Sequence, residues 1–142
     1  MSTSELTAAV TATYEVWMRT VVLAGPALAR HGLTEATFQA LWAIDPDEPP
    51  PSMKVMTGRL HCNAPNLTFM ADQLVDRGLV ERAVDPSDRR SRVLVLTAKG
   101  RQVRDEVVRA ALEKSPLATL TDSELRQVAA LLNRALRPPE AP

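Results

Sequence analysis

Two short runs rich in valine and leucine, Leu79–Val84 and Arg92–Leu96, flank a polar segment, Asp85-Pro86-Ser87-Asp88-Arg89-Arg90-Ser91. Apolar β-type runs bounded by proline, serine and aspartate read as the two arms of a β-hairpin. Elsewhere strand-type runs are short, aromatics are only 4% of the chain, and apolar residues recur at helical spacing. The chain is therefore mostly helical with one small hairpin, and the helices around that hairpin decide the architecture.

Their limits are written in caps and breakers. Ser2-x-x-Glu5 reads as a capping box opening a long first helix, Glu5 to Arg30, bent at Gly25-Pro26. Leu6, Val10, Tyr14, Trp17, Val21 and Leu28 fall near one face of it, a stripe longer than a small core needs. Gly32 ends this helix, and Thr34 caps a second that carries Phe38, Leu41 and Trp42. In Asp45-Pro46-Asp47-Glu48-Pro49-Pro50-Pro51, four prolines remove four donors and enforce a loop. Ser52 caps a third helix, Met53 to Leu60, and His61-Cys62-Asn63 forms a turn. Asn63 caps a fourth helix, which holds Pro65 in its first turn and stops near Arg77 at Gly78. Beyond the hairpin, Thr97 caps a fifth helix to about Lys114. A second capping box, Thr121-x-x-Glu124, opens a last helix with Leu125, Val128, Leu132 and Leu136 on one stripe. The proline-rich tail Arg137–Pro142 is expected to fray.

Composition narrows the function classes. The 142 residues make one domain or a tightly fused pair, large enough to fold without disulfide or metal. One cysteine, Cys62, and two histidines supply neither an internal disulfide nor a metal cage. No glycine-rich phosphate loop and no nucleophile–base spacing is present, so neither catalysis nor a cofactor is expected. The N-terminus lacks the basic and apolar regions of a signal peptide, and Val21–Ala29 is too short to span a membrane, so a cytoplasmic location is expected. The formal net charge of zero conceals segregation: Met53–Arg104 holds ten Lys/Arg against five Asp/Glu. One lobe can therefore attract a polyanion while the whole stays neutral.

Helix, three-residue turn, helix, then a hairpin with arginines at its tip is the layout of a winged helix-turn-helix. A B-DNA major groove admits one α-helix, whose first turns present side chains to base edges. On the fourth helix Ala64, Pro65, Asn66, Thr68 and Phe69 are expected outward, over a buried stripe of Leu67, Met70, Leu74 and Ala71. Asn66 suits adenine, Thr68 a phosphate or thymine methyl, and Phe69 a thymine methyl. Ser52, Lys54 and Asn63 at the helix starts, with Arg77, complete the expected DNA-contacting set on the helices. Arg89 and Arg90 can reach a narrow minor groove, with Asp88 orienting one guanidinium.

Gly78-Leu79-Val80-Glu81-Arg82 followed by Asp85-Pro86-Ser87-Asp88-Arg89-Arg90-Ser91-Arg92-Val93-Leu94-Val95-Leu96-Thr97-Ala98-Lys99-Gly100 resembles the wing signature of the MarR family (multiple-antibiotic-resistance regulators). Asn66-Leu67-Thr68, with Asp72, Leu74 and Arg77, resembles that family's recognition helix. The resemblance spans about residues 10–136. It implies a homodimer built from an N-terminal helix (1–33) and C-terminal helices (98–142), around a DNA-binding winged domain (34–97). It implies a repressor on a palindromic operator, with Arg90 as the minor-groove residue and Asp88 as its partner. It further implies a small aromatic or phenolic effector, for which Tyr14, Trp17, Met18, His31 and Trp42 are the candidates. Phe69 stands where the family often has a polar or basic residue. The competing reading is a winged-helix protein-interaction module without sequence-specific DNA binding.

Overall fold

The computed structural model describes residues 3–140. The cap expected from Ser2 lies outside these residues. The first segment is two helices rather than one bent helix, α1 (Thr3–Leu23) and α2 (Gly25–Arg30). Pro26 falls in the first turn of α2; lacking an N–H, it cannot continue the ladder of α1, and the chain breaks at Ala24. Gly32 then takes a left-handed φ of 64° that closes α2.

α3 (Glu35–Trp42) begins at Thr34, whose hydroxyl accepts the Thr37 N–H at 3.2 Å while the Thr37 hydroxyl accepts the Thr34 N–H at 2.8 Å. After the proline loop come α4 (Met53–Leu60), capped by Ser52, and α5 (Ala64–Asp76), capped by Asn63. Between them His61 adopts a left-handed φ of 49°, which turns the chain in three residues. The strands β1 (Val80–Asp85) and β2 (Asp88–Leu96) pair antiparallel, from Val80 opposite Leu96 to Asp85 opposite Asp88. α6 (Ala98–Lys114), a 3-10 turn (Pro116–Thr119) and α7 (Asp122–Leu136) complete the order. The result is mostly helical with a small hairpin wing, as the sequence implied.

The core lies where α3, α5 and α6 meet the base of the hairpin. Phe38, Leu41, Met56, Leu67, Leu74, Leu94 and Val107 are all fully buried there. Of the expected α5 stripe, Leu67, Ala71 and Leu74 are fully buried and Met70 is half-buried. α6 sits directly on the start of β1: the Leu79 carbonyl accepts the Thr97 N–H at 3.0 Å, and a Cβ at Gly100 would collide with that carbonyl. The terminal helices contribute little. α1 buries only Thr20 and Val21, and α7 buries none of its residues.

Candidate nucleic-acid interface

The exposed surface of α5 begins at its cap. The Asn63 Oδ1 accepts the Asn66 N–H at 2.8 Å, and Pro65 occupies the first turn, where its missing donor costs nothing. Leu67, Ala71 and Leu74 turn inward, which leaves Asn66, Thr68 and Phe69 outward, Phe69 being 64% exposed. These three fall on two sides of the helix. Thr68 and Lys54 flank a cleft of about 410 Å³ between α4 and α5. Asn66 and Phe69 flank another of about 340 Å³ toward Cys62 and Met70. The Thr68 hydroxyl donates to the Ala64 carbonyl at 3.0 Å, so its methyl and remaining lone pairs are what it can offer outward. Ser52 is half-buried and its hydroxyl accepts the Val55 N–H at 3.1 Å, so it acts first as a cap.

Arg77 is placed apart from this group. It is the C-cap of α5, about 20 Å along the helix from Asn63. Its guanidinium lies over Gly32, where a Cβ would strike it. Arg77 therefore lies at the opposite end of α5 from Asn66, Thr68 and Phe69.

The wing differs from expectation at its tip. The turn is only Pro86-Ser87, and Arg89 and Arg90 belong to β2 rather than to a loop. Two aspartates cause this. Asp85 Oδ1 accepts the Ser87 N–H at 2.9 Å and the Ser87 hydroxyl at 2.8 Å, and Asp88 Oδ1 accepts the Arg90 N–H at 3.0 Å. These bonds close a tight turn and extend the ladder outward. The Ser87 N–H, and then its hydroxyl, hold the Asp85 carboxyl below its ordinary value of 3.8. Asp88 thus engages the backbone of Arg90, and among the described residues it forms no ion pair with either arginine. Both arginines stay exposed.

Three arginines missed by sequence reasoning position these surfaces. Arg82 on β1 pairs with Asp72 on α5 and reaches the Thr68 carbonyl at 3.5 Å, tying wing to helix. Arg59 and Arg104 hold the end of α3, from α4 and α6 respectively. Helical spacing carries no signal for such pairs, because each joins elements that only the tertiary fold brings together.

The effector candidates separate into two groups. Trp17 and Trp42 meet, ring centroids 5.9 Å apart, with Phe38 edge-on to Trp42 at 5.4 Å. They line an open cleft of about 470 Å³ with Gln39, Arg59 and His61. Tyr14, one turn earlier on α1, is 64% exposed, and Met18 is half-buried. His31 lies elsewhere: its Nε2 is 2.8 Å from Glu106 Oε2 on α6, and it lines a cleft of about 650 Å³ with Arg77 and Lys99.

Residues 33–91, which contain α3, α4, α5 and most of the wing, match the family model for the MarR family. The chain carries a MarR-family domain. Solved MarR-type structures extend the likeness to the flanking helices. CouR from Rhodococcus jostii RHA1, bound to p-coumaroyl-CoA, superposes with a TM-score of 0.75 at 22% identity, over 91% of this chain and 92% of its own. The transcriptional repressor CouR bound to a 23-mer DNA duplex gives 0.71 at 26% identity, over 96% and 99%. Wild-type MarR in its apo form from E. coli gives 0.67 at 23%, over 96% and 98%. No curated protein sequence is a significant match. Outside the matched segment, these structures cover 91–96% of this chain, so the likeness of fold extends to the flanking helices. Among the described residues, no helix is long and apolar enough to cross a membrane.

Proposed function

We propose that this chain is a DNA-binding transcriptional regulator that represses from a palindromic operator as a homodimer and is released by a small aromatic effector. The observation that carries the reading is the outward face of α5, with Asn66, Thr68 and Phe69 exposed, flanked by Lys54 and backed by a wing that exposes Arg89 and Arg90. A helix in the major groove and arginines in the adjacent minor groove use those two surfaces together. DNA-bound CouR, the same fold at 26% identity, supports the mode of use. In this reading residues 34–97 form the DNA-binding unit, and 1–33 with 98–142 form the dimer.

Dimerisation follows from the apolar faces of the terminal helices. Val10 and Tyr14 on α1 are 60% and 64% exposed, and Leu131 and Leu136 on α7 are 63% and 79% exposed. A monomer in water has no reason to keep such stripes on both end helices. A second copy of the chain covers them and sets the two α5 helices about one DNA turn apart. The Trp17–Trp42 cleft opens beside α1, so an aromatic effector there acts near that contact.

The test is DNA-binding anisotropy under salt titration, with the duplex upstream of the chain's own coding sequence and an unrelated duplex of equal length. A dimer touching ~6–10 phosphates loses about 10³–10⁵ in affinity between 50 and 200 mM salt, and a regulator prefers the upstream duplex. Absent or salt-insensitive binding to both duplexes refutes the reading and favours the protein-interaction module.

A further inference from the structure

The chain has two phenylalanines, and the fold treats them in opposite ways. Phe38 is fully buried in the core, whereas Phe69 on α5 is 64% exposed. Among the described residues the ring contacts are Trp17–Trp42 and Phe38–Trp42, so Phe69 stacks on no other ring. It stands one turn from Asn66, and both flank the cleft toward Cys62 and Met70. The Asn66 backbone N–H is committed to the helix cap, which leaves its side-chain amide for an outside partner. Thr68 faces the other side of the helix, beside Lys54. In the DNA-binding reading above, on which this inference rests, one side of α5 therefore offers the groove an amide and a bare aromatic ring.

The chemistry of that ring limits what it can read. In the major groove thymine presents O4 as an acceptor and cytosine presents N4 as a donor, while thymine adds a methyl group at C5. An amide or a guanidinium tells these bases apart through the difference between O4 and N4. A phenyl ring has no N–H or O–H to give and no lone pair to receive one, so that difference is invisible to it. What it can cover is apolar surface at C5, and a methyl group there supplies that surface where a hydrogen does not.

We propose that Phe69 reads the C5 methyl group itself, rather than the identity of the pyrimidine that carries it, at one position in each half-site. Thymine and 5-methylcytosine are equivalent at that position, and uracil and unmodified cytosine are equally poor. Binding then responds to cytosine C5 methylation of the duplex as well as to its sequence. Asn66, one turn away, keeps the hydrogen-bonding part of the readout, so the two residues divide polar and apolar recognition between them.

The test begins with a duplex selected from a random pool by the full chain. Each thymine·adenine pair of its half-sites is replaced symmetrically by uracil·adenine, 5-methylcytosine·guanine or cytosine·guanine, and affinity is read by anisotropy. Thymine against uracil, and 5-methylcytosine against cytosine, each differ by one methyl group alone. At one position both comparisons are expected to lose about fourfold per half-site when the methyl is removed, or about 15-fold for the symmetric duplex. Phe69→Asn is expected to abolish this difference and Phe69→Leu to keep part of it; the side chain is exposed, so neither change disturbs the core. Thr68→Ser, which deletes the other outward methyl of the helix, is expected to leave the difference in place. The proposal is overturned if thymine groups with uracil and cytosine with 5-methylcytosine, or if wild type ignores the methyl group. It is equally overturned if the methyl effect survives Phe69→Asn or vanishes with Thr68→Ser. A pool from which no duplex is enriched sinks the DNA-binding reading as well, whereas an enriched duplex without the methyl effect sinks this inference alone.

Discussion

Arg90 offers the most direct test of the interface by a single side chain. It is exposed on β2 with its backbone N–H fixed by Asp88, so truncation removes the proposed DNA contact without loosening the turn. Arg90→Ala is expected to weaken operator binding by about 1–3 kcal/mol and leave the sedimentation-equilibrium mass unchanged; undiminished affinity would remove the wing from the interface. Asp85 tests the turn itself. Its folded pKa is depressed below 3.8 by the two Ser87 bonds, so the turn's contribution is complete above that value and fades as pH falls through the lower folded one. Neutral pH leaves it intact. Ser87→Ala removes the hydroxyl bond and is expected to raise the Asp85 pKa toward its ordinary value, read by NMR titration of the carboxyl resonance. The sequence showed the turn-forming character of this segment. It did not show that two Asx bonds would draw Arg89 and Arg90 into the strand, because that depends on which oxygen each donor finds once the ladder has formed.

At the scale of elements, caps were legible and junctions were not. Thr34, Ser52, Asn63, Thr97 and Thr121 each cap the helix expected of them, because an N-cap is a contact within four residues. The break between α1 and α2 was visible as Gly25-Pro26 but was read as a bend; whether a helix kinks or restarts depends on what the second piece packs against. Two glycines separate local from tertiary constraint. Gly58, inside α4, has nothing within 4 Å of where a Cβ would stand. Gly58→Ala is expected to stabilise the protein by about 0.5–1 kcal/mol through the unfolded chain's lost freedom. Gly100 is also helical, yet its Cβ would drive into the Leu79 carbonyl. Gly100→Ala is expected to cost about 1–3 kcal/mol because α6 must lift from β1. Thermal melts of the two variants should therefore move in opposite directions, and parallel shifts would contradict the packing of α6 on Leu79.

For the whole molecule the open question is assembly. Both terminal helices expose apolar side chains, and α7 buries nothing within its own chain, so in the proposed homodimer its stability comes from the second copy. Truncation after Ser115 is expected to abolish the dimer in analytical ultracentrifugation; a truncated chain with the full dimer mass would refute assembly through α7. The melting temperature of the intact chain is expected to rise with concentration, as it does when folding and association are coupled. The effector residues belong to this scale too. Trp17 and Trp42 were candidates through the family resemblance and meet in one cleft, whereas His31 is turned to Glu106 on α6, a partner 75 positions away that no helical period could indicate.

What the sequence determined by itself was everything governed by near neighbours along the chain: the caps, the proline loop, the buried stripe of α5, the existence of the hairpin, and through its motif the family. Those depend on backbone geometry and on donors within a few residues. The tertiary structure alone decided which charges meet. Arg82 finds Asp72, Arg59 finds Glu48 and the end of α3, Arg104 finds the carbonyls beside it, and the Arg77 guanidinium lies beside Gly32. An arginine side chain is long and its partner is set by packing between elements, so its role is settled only once the helices have docked.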